Sequence, residues 1–146
     1  MSNANERELI DHYTATPPEG IQEGDLQVLQ ISDQPAPSTG AADTLTHAAT
    51  VGQAGRVYAY LAAKEPDDVR RTKTLTLSAD KLLLSRTTLY ELLTGDPTLD
   101  EQIKTQSLQL IWAYDQDLYA VETALGRTPQ KLPIPPGLFG QQEVQP

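Results

Sequence analysis

His12 and His47 are the only two histidines in the sequence, and no other side chain titrates near neutral pH unaided. To act as a base or a metal ligand, either would need a partner at fixed spacing. HExxH supplies one four residues along a helix, and no such motif is present. Neither histidine has a second one within four residues, so both read as structural or surface groups. Asp115-Gln116-Asp117, and Asp96 with Asp100, are carboxylate pairs that could grip a cation or share a proton. Each falls where a helix is expected to begin, and a carboxylate there satisfies backbone N–H groups and the helix dipole.

Arg70-Arg71-x-Lys73 could meet phosphate or the acids of a partner, or could simply face solvent ahead of a strand. Gly52-Gln53-Ala54-Gly55 is a bare G-x-x-G; no nucleophile elbow, phosphate loop or dinucleotide fingerprint accompanies it. The absence of cysteine removes disulfides, thiolate zinc sites and thiol nucleophiles. The expectation is a protein that is not an enzyme, with no catalytic residue, no metal and no cofactor.

The net charge of −9 opposes encounter with phosphate, so neither direct nucleic-acid binding nor association with an anionic membrane is expected. Charge is uneven along the chain. Residues 1–33 hold seven acids against Arg7, whereas residues 56–86 hold seven bases against four acids. The two segments could dock on each other, within one chain or between copies. MSNANERELIDHY is too polar for a signal peptide, and no apolar run approaches the roughly 20 residues needed to cross a bilayer. A cytoplasmic or virion protein, not secreted through a signal peptide, is the expected setting.

The elements that would position these residues divide the 146-residue chain into three parts. Residues 1–43 read as a helix over 4–13, a strand over 26–31 and a Pro-rich arm. Residues 44–126 read as a compact core. In it, 56–64 fits a helix better than a strand, because alanine and Lys-Glu are poor strand residues. Residues 72–77 alternate threonine with leucine as a strand does, and 81–84 read as a short buried strand.

Ser85 is placed to cap a helix over 86–94 that stops at Gly95. Thr98 and Glu101 match a capping box for the next helix. Ser107–Tyr114 has two readings. One is a strand with Leu108, Leu110, Trp112 and Tyr114 on one face. The other is part of a long helix whose stripe runs through Ile103, Ile111, Tyr114, Leu118, Val121 and Leu125. Asp115 would cap a helix over 116–125, with Gly126 as its stop. Residues 127–146 read as a Pro-rich extended tail. The fold class expected is α+β, a short sheet packed by three or four helices with extended arms at both ends; the alternative is mostly α.

Leu84-Ser85-Arg86, Leu92-Leu93-Thr94-Gly95, Thr98-Leu99-Asp100-Glu101-Gln102-Ile103, Leu108-Gln109-Leu110 and Asp115 together resemble the C-terminal half of sterol-carrier-type domains, as appended to bacterial alkyl sulfatases. Gln106 stands where that family usually has glycine, and Ala113-Tyr114-Asp115 replaces its EGD. The resemblance implies an α+β layer around an apolar groove that binds an acyl or other lipid ligand, here lined by Leu89, Leu93, Ile103, Leu110 and Trp112.

A second expectation rests on the residues alone. It is a non-enzymatic interaction or assembly protein, a subunit of a larger complex or particle, with protein partners and a homo-oligomeric or larger assembly. The apolar tail residues Leu132, Ile134, Leu138 and Phe139, with Arg70 and Arg71, would be its contacts; stiff Pro-rich segments lie in a groove at low ordering cost.

Overall fold

The structure is a computed structural model that describes residues 4–17, 19–35, 40–95 and 98–128. Five helices account for its regular structure: α1 (Ala4–Ala15), α2 (Glu23–Ser32), α3 (Ala41–Lys64), α4 (Asp68–Gly95) and α5 (Glu101–Ala124). No strand occurs among the described residues, so the fold is all-α, and the expected α+β sheet is absent. The expected strands at 26–31, 72–77, 81–84 and 107–114 lie in α2, α4, α4 and α5 respectively.

The centre is the antiparallel pair α3–α4. Its register is fixed by two buried hydrogen bonds: Ser78 Oγ donates to the Gly55 carbonyl, and Ser85 Oγ to the Ala48 carbonyl, each at 2.6 Å. Donors and acceptors are both seven residues apart, two turns of helix, so both bonds report one alignment. Close approach requires small residues on α3. Gly55 is one of them, since a Cβ there would lie 2.6 Å from Leu82 Cγ. Gly52 is another, because a Cβ would overlap the ring of Tyr114.

This packing explains why the Thr-Leu alternation of 72–77 becomes helix. Thr74 and Thr76 turn their hydroxyls back onto the carbonyls of Arg70 and Thr72, four residues earlier, satisfying them within the helix. Ser85 is therefore no cap. It lies inside α4, fully buried, and bonds across to α3.

α5 packs on α4 and α3 through Leu108, Ile111, Tyr114, Leu118 and Val121, all buried. This is the long-helix stripe, and it leaves Trp112 on the outside at 61 % exposure. The N-cap of α5 is Asp100, whose carboxylate accepts from the amides of Gln102 and Ile103, in place of the expected Thr98–Glu101 box. Its end matches the sequence expectation. Gly126 adopts φ 79°, with its amide on Thr123 O and that of Arg127 on Glu122 O, the paired bonds of a left-handed glycine stop. Gly95, by contrast, is still the last helical residue of α4.

α1 and α2 form a second cluster: Ile10, Tyr13, Leu26 and Leu29 are buried with Val57, Tyr58 and Leu61 of α3. Residues 23–32 thus pack as a helix on the bundle. Lys81 Nζ reaches the Ser32 carbonyl and Asp33 Oδ1, both at 3.2 Å, placing a cation at the C-terminal end of α2.

Candidate functional site

The groups with most chemical potential are already committed to holding helices together. Arg86, 1 % exposed, forms a two-pronged ion pair with Asp115 of α5, its Nη2 lying 3.2 Å from Oδ2. Asp115 is therefore neither a cap nor half of a cation site; it neutralises a guanidinium buried between two helices. Asp117 pairs with Arg56 of α3 at 2.5 Å, and the same guanidinium lies 5.1 Å from the centroid of the Tyr114 ring. Tyr114 Oη donates to the Ala49 carbonyl at 3.1 Å, and burial raises its phenol above the ordinary value. Asp96 lies outside the described residues, and Asp100 is spent as the α5 cap.

The histidines sit far apart in the fold. His12 lies on α1 in a shallow groove lined by Glu8, Leu9, Arg70 and Lys73. His47 lies on α3, where partial burial first, and the Lys81 ammonium second, push its imidazole below the ordinary value. Among the described residues no three of His, Cys, Asp and Glu come together as a metal cluster. Arg71 is tied to Asp68 and to the Glu65 carbonyl, whereas Arg70 lines the α1 groove. Two residues expected to act together at an interface are therefore employed differently. Leu132, Ile134, Leu138 and Phe139 lie outside the described residues.

The five residues expected to line an apolar groove do not converge on one. Leu89 and Leu93 are core residues between α4 and α5, at 0 % and 4 % exposure. Ile103 and Leu110 are half-buried against the same core. Trp112 points away from it.

The outer face of α5 is distinctive in its composition. Thr105, Gln109, Trp112, Gln116, Tyr119 and Thr123 recur at alternating spacings of three and four residues and form one exposed stripe. Beyond Glu101 the stripe itself is uncharged, in a chain in which 21 % of residues are charged; Lys104, Asp115, Asp117 and Glu122 of α5 are half-buried beside it. Trp112 and Tyr119, exposed at 61 % and 57 %, lie two turns apart on it. A sequence signal for this face existed in the seven-residue step from Trp112 to Tyr119. The competing two-residue alternation from Leu108 to Tyr114 placed Trp112 with the core instead.

Comparison with protein-family models, with curated proteins and with solved structures gave no match. No helix of the described residues is long and apolar enough to cross a membrane.

Proposed function

We propose that this protein is a non-enzymatic assembly component, a subunit of a larger complex or particle, that contacts protein through the outer face of α5. One observation carries the reading: an uncharged helix face displaying Trp112 and Tyr119 on a strongly acidic chain. Tryptophan and tyrosine are favoured anchors of protein interfaces, and charge is depleted at interface centres. The commitment of Arg86, Asp115, Arg56 and Asp117 to helix pairing supports the non-enzymatic part of the reading.

The test is a photo-crosslinking amino acid placed at position 112 or 119 in the producing cell, with position 53, exposed on α3, as control. Adducts heavier than the chain are expected from 112 and 119 and not from 53. No protein adduct from either position would sink the reading.

A further inference from the structure

We infer that the occupant of this face is the same face of a second copy, the two α5 helices crossing antiparallel about Gln116. This rests on reading α5 as an interaction surface, and it names the partner. The first argument is electrostatic. Two chains of net charge −9 repel when their charged faces meet, and the exposed stripe of α5 is where two copies can approach with few like charges opposed, Asp115 and Asp117 beside Gln116 being neutralised by Arg86 and Arg56. A basic or anionic partner would be selected by complementary charge, and this stripe offers none beyond Glu101.

The second argument is symmetry. Trp112 and Tyr119 lie four residues before and three after Gln116, about 6 Å and about 4.5 Å along the axis on its two sides. A two-fold axis beside Gln116 therefore brings Trp112 of one copy within about one residue's rise, about 1.5 Å along the axis, of Tyr119 of the other, twice. It also sets Gln109 against Thr123, and Gln116 against itself. Such a self-complementary patch is what an isologous dimer requires. Four half-exposed aromatic rings bury on the order of 500 Å², and the glutamine and threonine flanks must supply the rest of the roughly 1,200 Å² of a specific contact.

The experiment is sedimentation velocity on the full chain from about 1 to about 200 µM. A concentration-dependent dimer is expected, weakened at least tenfold by Trp112→Ala or Tyr119→Ala. Gln116 is exposed, so charge there leaves the fold intact, which circular dichroism checks. Gln116→Lys and Gln116→Glu, each alone, place like charges against each other and are expected to be monomeric. Mixed in equal amounts, they are expected to recover the dimer. A wild-type monomer across the range overturns the inference, as does a dimer indifferent to both charges or a mixture that stays monomeric. Crosslinks from position 112 to a different protein, with no dimer in solution, would overturn the second copy as partner while leaving the assembly reading standing.

Discussion

Arg86 of α4 and Asp115 of α5 form an ion pair at the buried interface of two helices, 29 residues apart in sequence, with the guanidinium side chain 1 % exposed and the carboxylate 16 %. Removing a charged group from water costs several kcal/mol, and such a pair offsets that cost only while both members are present.

Asp115→Ala, which leaves the guanidinium uncompensated, is therefore expected to destabilise the fold by about 3–5 kcal/mol. Joint replacement by Arg86→Met and Asp115→Leu should fall close to wild type, because the apolar pair restores packing without desolvation. Urea unfolding of Asp115→Ala and of the double variant, each against wild type, reads the difference. A double variant as unstable as Asp115→Ala would refute the account.

Glycines in α3 and α2 should respond oppositely to the same change. Gly52→Ala drives a Cβ into the Tyr114 ring and should destabilise by about 1–3 kcal/mol, partly relieved by Tyr114→Leu. Gly24→Ala, inside α2 with no atom within 4 Å of the new Cβ, should stabilise by about 0.4–1 kcal/mol. Thermal melts of the two variants should move in opposite directions.

At the α3–α4 contact, Ser85→Ala removes one buried hydroxyl from a carbonyl and should cost about 1 kcal/mol. Ser85→Val fills the same site with a branched side chain that the close helices cannot admit, adding about 1–3 kcal/mol. Equal denaturation midpoints for the two would argue against tight packing at this point.

Tyr13 links α1 to the α3–α4 corner by donating to Glu65 Oε1 at 3.1 Å. Burial first, and the Glu65 carboxylate second, raise its phenol above the ordinary 10.0. Above pH 10 the unfolded chain releases this proton while the folded chain still holds it, so stability is full below that pH and declines as pH rises. Tyr13→Phe should flatten the decline, read as the difference in urea midpoint between the two proteins at about pH 8.5 and about pH 10.5.

The sequence made the helix boundaries legible where the signal was local. The start of α1, the alanine-rich end of α3, the 86–94 turns of α4 and the glycine stop at Gly126 all depend on neighbouring residues. What failed depended on distance along the chain. Ser78 and Ser85 take acceptors 23 and 37 residues away, so nothing nearby distinguished them from caps or strand ends. Asp115 looked like a helix start because its arginine lies 29 residues upstream. The alternation in 72–77 and 108–114 was real, but burial at helical spacing, Thr74 with Ser78 and Leu108 with Ile111 and Tyr114, outweighed it. For the candidate site the same misreading was decisive: a strand puts Trp112 inside, and the helix puts it in solvent.

The shared alignment of the two serine bonds also ranks the motions open to this molecule. Sliding α3 along α4 by one turn would carry both hydroxyls away from their acceptors at once, so the hairpin cannot creep. It must separate as a unit or stay closed. Amide hydrogen exchange should accordingly be slowest in the middle of α3 and α4. The N-terminal helix, fastened at its far end by the Tyr13 hydroxyl, should exchange first, without unfolding the rest.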